Sequence, residues 1–289
     1  MNVIFQINGG IGKCVLATSL LPAIKEKYPN GSLIVVSGYA DVFLNNPHVD
    51  RSFQFGQFQY FYQDYIDNKD FIFLGHDPYL TEGHIRQDEH LSLCWAKLCN
   101  LTLTENVTPK LYISNTEYNL YKQKFQSDKP ILLMQPNGGV QSDLKYSWAR
   151  DIPANVVKAV IEEFKDKYNI VHLKREDQTS FEFTTPVSDV FRSIAVLIDL
   201  SNKRLFMDSF AQHTAAALNK PSTVLWIANK PEVFGYELHN NIKANKFTKK
   251  PDLKNSYIAK FNIAGDPVEF PYNDESEIFM IDEIIKSLK

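Results

Sequence analysis

Val3-Ile4-Phe5-Gln6-Ile7-Asn8-Gly9-Gly10-Ile11-Gly12 is the stretch that decides the fold. Val3–Ile7 is an apolar run of strand length, and Asn8-Gly9-Gly10-Ile11-Gly12 is a turn, because glycine reaches positive φ without steric cost. Behind the turn, Val15, Leu16, Leu20, Ile24 and Tyr28 recur at helical spacing, until Pro29-Asn30-Gly31 stops the helix. Leu33-Ile34-Val35-Val36 follows as a short buried strand. Strand, glycine turn, helix and strand in that order begin a βαβ unit, whose crossover brings the second strand back parallel to the first. Further strands are expected at Arg51–Phe55 and Asp70–Leu74, a helix over Glu89–Leu98 and a strand over Lys110–Ile113.

Polar residues dominate from Ser114 to Lys129, and Pro130 closes that stretch. The pattern then restarts. A strand at Ile131–Gln135, a turn at Pro136-Asn137-Gly138-Gly139, a helix over Pro153–Tyr168 and a strand at Ile170–Leu173 repeat the opening. Strands are expected near Val196–Leu200 and Leu205–Met207, then an alanine-rich helix over Phe210–Leu218 and a strand at Thr223–Ile227. The amphipathic Ser276–Leu288 is expected to form a helix that packs back across the interdomain hinge. A length of 289 residues fits two domains, and the restart divides the chain into 1–127 and 128–289. Open parallel sheets bind ligands beyond the carboxyl ends of their strands, so two such domains facing each other enclose a cleft.

Apolar residues make up 44% of the chain and charged residues 22%, enough to build a core. A net charge of −3 and a pI near 6.2 argue against a general polyanion-binding surface and so against nucleic acid. Cys14, Cys94 and Cys99 are an odd count with no CxxC pair, which suggests neither a disulfide framework nor a zinc site, but thiols in a reducing compartment. The first residues read as a strand rather than a signal peptide, and no run approaches the ~20 apolar residues of a membrane span. A cytoplasmic location is expected.

The turn Asn8-Gly9-Gly10-Ile11-Gly12-Lys13-Cys14 has three readings. Its spacing resembles the deviant P-loop of ParA-type ATPases, but the residue after the lysine, which should ligate Mg²⁺ through a hydroxyl, is Cys14, a poor ligand for a hard cation. It can be a structural turn only. Or Gly9, Gly10 and Gly12 form a substrate loop whose N–H groups face an anionic ligand, with Lys13 adding a mobile positive charge. Downstream, Gly75-His76-Asp77-Pro78-Tyr79 with His84, Arg86, Asp88, Glu89 and His90 is the densest ionisable cluster of the first half. It follows a predicted strand and reads either as a solvated loop with a helix cap or as cleft lining, with Asp77 and then His90 as candidate general bases. The histidine spacing matches no metal motif, and no metal is expected. Phe53, Phe55, Phe58, Tyr60, Phe61, Tyr62 and Tyr65 read as packing at a sheet edge or as a stacking platform for an acceptor.

In the second half, Met207-Asp208-Ser209-Phe210-Ala211-Gln212-His213 ends a strand and opens a helix. Asp208 or Ser209 can cap that helix, leaving N–H groups for an anion, with His213 about one turn in. The plainer reading is a capped helix with a partly buried histidine. The wider pattern, Asp208-Ser209 through His213-Thr214-Ala215-Ala216-Ala217-Leu218 to Pro221, resembles the Asp-Thr-Gly-x-x-His-Leu-Ala-Ala-Ala-Leu-Gly-x-Pro signature of glycosyltransferase family nine, the heptosyltransferase-like enzymes. Thr223–Trp226 and Phe234-Gly235-Tyr236 are similar to that family's ending. At the other end, Gly10-Ile11-Gly12, Leu21-Pro22-Ala23-Ile24-Lys25, Tyr28-Pro29 and Asn46-Pro47-His48-Val49-Asp50 are similar to its beginning.

The resemblance implies a GT-B fold, two Rossmann-like domains facing each other across a cleft. It implies transfer of a sugar from a nucleotide-diphosphate donor to an acceptor, with inversion and without a bound metal or other cofactor. The acceptor class stays open among a glycan precursor, a small molecule and a modified nucleobase. By the same resemblance Asp208, Ser209 and His213 surround the donor diphosphate, Lys145, before Trp148, contacts its phosphate, and Glu176 (or Asp177) bonds the ribose hydroxyls. The chain departs from the signature twice. Phe210 stands where a glycine lets the backbone approach the phosphates, and Lys13 stands where the family carries its candidate base, an Asp. A protonated lysine cannot accept a proton, so another residue acts as base, the mechanism differs, or the scaffold binds without catalysing.

Overall fold

The computed structural model describes residues 1–103, 108–138, 147–249 and 270–289. In the first domain β1 (Asn2–Ile7), β2 (Ser32–Ser37), β3 (Arg51–Gln54) and β4 (Phe71–Leu74) form a parallel sheet in the order β3-β2-β1-β4. The chain lays down three strands in one direction and then returns to place β4 on the free side of β1. That reversal makes a switch point between β1 and β4. The helix expected after β1 is divided into α1 (Ile11–Ala17), a 3₁₀ turn (Thr18–Leu20) and α2 (Leu21–Lys27). The hydroxyls of Thr18 and Ser19 donate back to Val15 O and Leu16 O, and Pro22 stands in the first turn of α2, where it needs no N–H.

The aromatic run splits by face. Phe53 packs with Phe61 and Tyr65 of α3 (Phe61–Tyr65) over Ile4, Ile34 and Val36, whereas Phe55, Phe58, Tyr60 and Tyr62 are exposed. After α4 (Glu82–Arg86) and α5 (Leu91–Leu98), the strand expected at Lys110–Ile113 does not form. Its backbone is used elsewhere: Lys110 N–H donates to Thr18 Oγ1, and Leu111 is buried with its N–H directed at Ala217 O across the domain boundary. A capping box of Ser114 and Glu117 then starts α6 (Asn115–Lys122).

The second sheet holds β5 (Ile131–Gln135), β6 (Asn169–Leu173), β7 (Thr185–Val187), β8 (Lys203–Met207), β9 (Thr223–Trp226) and β10 (Asn240–Lys243), parallel in the order β10-β9-β8-β5-β6-β7. Its switch point lies between β5 and β8. The helices are α7 (Ala154–Phe164), α8 (Phe191–Leu200), α9 (Phe210–Ala217) and α10 (Pro231–Phe234). Val196–Leu200, expected as a strand, is the second half of α8. Phe191 and Ala195 enter the first domain's core while Leu197 and Ile198 pack on the second sheet, so the helix is apolar on two sides and a short window of it carries no period. Edge strands β7 and β10 escaped the reading because they are short and partly polar.

The final helix, α11 (Ile281–Leu288), does not pack back across the hinge. It lies against α7, β8 and β9, with Ile284 and Leu288 in the second domain's own core. Each such buried side chain contributes about 1.5–3 kcal/mol, and the open face of the second sheet is where that area is available. What joins the domains is a shared core: Ala217, Val224, Trp226, Val233 and Phe234 belong to the same buried cluster as Phe5, Ile7, Leu16 and Trp95. Helices α1 and α9 run against each other at its centre. At Gly12 a Cβ would lie 3.2 Å from His213 Cδ2 and 3.3 Å from Phe210 Cα, so this glycine permits a helix–helix approach.

Candidate active site

At the second switch point the ends of β5 and β8 are tied together. Gln135 Nε2 donates to Ser209 Oγ at 3.2 Å, and Gln135 Oε1 accepts from the Ala211 N–H at 3.4 Å. The start of α9 is thus capped from the neighbouring strand, while Ser209 makes no cap bond itself. Arg150 Nη2 donates to Asp208 O at 2.6 Å, and Asn229 Nδ2 donates to the Asp208 carboxylate. Asp208 is buried. Its carboxylate therefore organises Asn229, and its carbonyl orients a guanidinium whose buried Nε has no hydrogen-bond partner among the described residues. Nearby, the Asp151 carboxylate accepts from Gly138 N–H and Ser147 N–H, and Gly138 O accepts from Arg175 and Gln178. Glu176 is exposed just beyond β6, next to Asp177, which pairs with Arg175 at 2.9 Å. Lys145 lies outside the described residues.

His213 is enclosed where the two domains meet. Its Nδ1 lies 2.8 Å from Tyr236 Oη, its ring abuts Gly12, and it is buried. Burial, with His90, His239 and Arg150 nearby, lowers its pKa to about 3, so the ring is neutral at pH 7. His90 is also enclosed. Its Nδ1 accepts from the Ser92 N–H at the start of α5, its ring packs against Tyr236, and burial lowers its pKa to about 4.

At the first switch point, Gly9 takes φ +121° and Gly10 is extended ahead of α1. Lys13 is not a mobile charge facing a ligand. Its side chain is 3% exposed, its Nζ lies 2.9 Å from Asp77 Oδ1, and it sits 4.5 Å from the centre of the Tyr79 ring and 5.3 Å from that of Trp95. An ammonium so enclosed cannot act as a P-loop lysine, which must reach into a phosphate cradle. The two switch points face each other. The Tyr79 ring lies 6.5 Å from that of Phe234 of the second domain, and burial raises its phenol pKa well above the ordinary value. The close approach of α1 and α9 at Gly12 sets Lys13, Asp77 and Tyr79 of the first domain on one side of the boundary and Gln135, Arg150, Asp208 and Ser209 of the second on the other. Gln135 and Arg150 were not singled out from the sequence; the available signals were a polar residue ending an apolar strand and an arginine two residues after Trp148.

No family model and no curated protein matches this sequence. Solved structures do match its fold. A glycosyl transferase family 9 protein from Veillonella parvula superposes with a TM-score of 0.68 at 12% identity, over 99% of this chain and 95% of that one. The Escherichia coli ADP-heptose LPS heptosyltransferase II gives 0.63 at 13% identity, over 91% and 98%. The E. coli heptosyltransferase WaaC with ADP gives 0.59 at 12% identity, over 92% and 98%. The chain therefore has the GT-B fold of heptosyltransferase-like enzymes over nearly its whole length. No helix among the described residues is long and apolar enough to cross a membrane.

Proposed function

We propose that this chain is a glycosyltransferase that moves a sugar from a nucleotide-diphosphate donor to an acceptor, with inversion and without a bound metal. The observation that carries the reading is the facing of two switch-point crevices, one of which holds an oriented guanidinium at the start of α9. Breaking the bond between the sugar and a diphosphate develops negative charge on the leaving phosphate. Arg150 neutralises it, and Lys145 joins it by its resemblance to the family's phosphate lysine. Asp208, Ser209 and Gln135 hold that arrangement in place. Glu176, whose carboxylate makes no hydrogen bond among the described residues, is the acceptor for ribose hydroxyls. Phe210 follows Ser209 where a glycine would expose backbone, which makes the side chain of Arg150 more important to this donor site. His213 supports the site from behind, through Gly12 and Tyr236.

A thermal-shift panel of UDP-, GDP- and ADP-sugars tests this. WaaC was solved with ADP, so ADP-sugars come first. At ~100 times its Kd a true donor contributes about 2.7 kcal/mol, a rise in Tm on the order of 5 °C. Arg150→Met should weaken that donor at least about tenfold, the loss of one charge-assisted bond. Stabilisation by ATP with Mg²⁺ while every nucleotide sugar fails would overturn the reading.

A further inference from the structure

We propose that Asp77 is the general base of this site and that Lys13 is its positioning partner, the two forming a carboxylate–ammonium pair laid across the switch point of the first sheet. The assignment rests on the glycosyltransferase reading and adds to it the residue that takes the acceptor's proton. Asp77 comes from the loop after β4, and Lys13 from α1, which follows β1. The pair therefore spans the crevice where topology directs a ligand of the first domain.

Its geometry is one-sided. Both hydrogen bonds to the Asp77 carboxylate go to Oδ1, one from Lys13 Nζ at 2.9 Å and one from the Tyr79 N–H at 3.0 Å. Oδ2 makes none among the described residues, and the Asp77 side chain is 40% exposed. One oxygen is anchored and the other presented. The anchor is rigid because the Lys13 ammonium is enclosed by the Tyr79 and Trp95 rings and cannot swing to solvent. The same loop packs against the second domain, since the Tyr79 ring lies 6.5 Å from that of Phe234. The other bases of the region lack this placement. His90 and His213 are buried and engaged with Ser92 and Tyr236, and His76 is exposed with no anchor to match that of Asp77.

In the step this supports, the acceptor's hydroxyl oxygen forms the bond to the anomeric carbon and its proton passes to Asp77 Oδ2. The bond from the anomeric carbon to the diphosphate oxygen breaks on the opposite face, and the nucleoside diphosphate leaves with the electron pair. Asp77 then returns the proton to water. Lys13 keeps its charge throughout and only holds Oδ1. Where sequence similarity led one to expect an acid on α1, the acid is supplied from the β4 loop and α1 supplies its counter-ion.

The experiment uses whichever nucleotide sugar stabilises the wild-type chain and reads nucleoside diphosphate release, with water and with a panel of free monosaccharides as acceptors. Asp77→Asn, which keeps shape and removes basicity, should lower kcat by at least ~10²-fold. The donor-induced rise in Tm should be unchanged. Lys13→Met should lower kcat with the donor KM within about threefold of wild type, and Lys13→Arg should recover part of the loss. His76→Gln should retain turnover. Asp77→Asn turning over within threefold of wild type, or losing its response to donor, would overturn the assignment; so would a His76→Gln variant as impaired as Asp77→Asn is expected to be. If no nucleotide sugar stabilises the wild-type chain or is cleaved by it, the glycosyltransferase reading itself falls, a result visible before any variant is made.

Discussion

The imidazole of His172 sits in β6 with neither ring nitrogen hydrogen-bonded among the described residues, packed 5.3 Å from the ring of Phe181. Burial, with a smaller push from Lys174, lowers its pKa to about 4 from an ordinary 6.5. The unfolded chain therefore takes up a proton below pH 6.5 that the folded chain refuses until about pH 4. Stability is complete above 6.5 and is lost as pH falls through that window. An unsatisfied buried polar group costs about 1–3 kcal/mol, so His172→Leu should raise stability at pH 7 by about 1 kcal/mol and flatten the acid loss. Urea unfolding at pH 7 and pH 5 measures both, and a destabilised variant would contradict the account. Gly12 carries a different lesson at the same scale. The sequence leaves it open between a structural turn and a loop beside a ligand, and in the structure it lets α1 meet α9.

Among the elements, α8 and α6 are joined through one arginine. Arg192 donates Nε and Nη2 to the two Glu117 oxygens at 2.9 Å each, Nη2 to Tyr112 O at 2.6 Å and Nη1 toward Asp41 O. It thereby clamps a helix of the second domain to the first domain and to the helix connecting them. Burial alone would raise the Glu117 pKa, but the bonds from Arg192 and Ser114 outweigh it and hold the carboxyl down to about 2. The clamp is therefore complete above about pH 4.5 and is lost as pH falls toward 2. Arg192→Met would take two donors from a carboxylate that keeps its bonds from Ser114 and Asn45, and would remove the Arg192 bonds to the Tyr112 and Asp41 carbonyls. The expected cost is about 3 kcal/mol, the low end for a buried pair, because Glu117 keeps 24% of its side chain exposed. Arg192→Met with Glu117→Gln should cost less than the sum of the single changes by at least about 1 kcal/mol in a double-mutant cycle. Strict additivity would mean the two residues stabilise the chain independently.

Over the whole molecule, the shared core that holds the crevices opposite each other contains three histidines around Tyr236. His90 comes from the first domain, His213 and His239 from the second. Burial is the main cause that lowers all three, to about 4, 3 and 4. Each is neutral in the folded chain at pH 7, and each opposes folding as pH falls from 6.5 toward 4, when the unfolded chain binds the proton and the folded one does not. Amide exchange in α1 and α9, which meet at this interface, should accelerate over that interval relative to amides of β5 and β6. Protection of α1 and α9 that is independent of pH would rule the interface out as the acid-sensitive part.

The local patterns of this sequence determined the two parallel α/β units, because a strand, a glycine turn and an apolar-periodic helix specify a crossover without help from distant residues. They also located the carboxylate of Asp77 and the Asp208-Ser209 strand end. They did not determine what those residues face. Val196–Leu200 became helix because it is buried on two sides, α11 covered its own sheet because apolar area was open there, and Lys13 became an anchored counter-ion because Asp77, Tyr79 and Trp95, all more than sixty residues away, close around it. Gln135 and Arg150 entered the site through the reversal of strand order between β5 and β8. Periodicity reports which side of an element is apolar. Which partner meets that side, and whether a charge ends in solvent or against another charge, is decided only when the two domains pack.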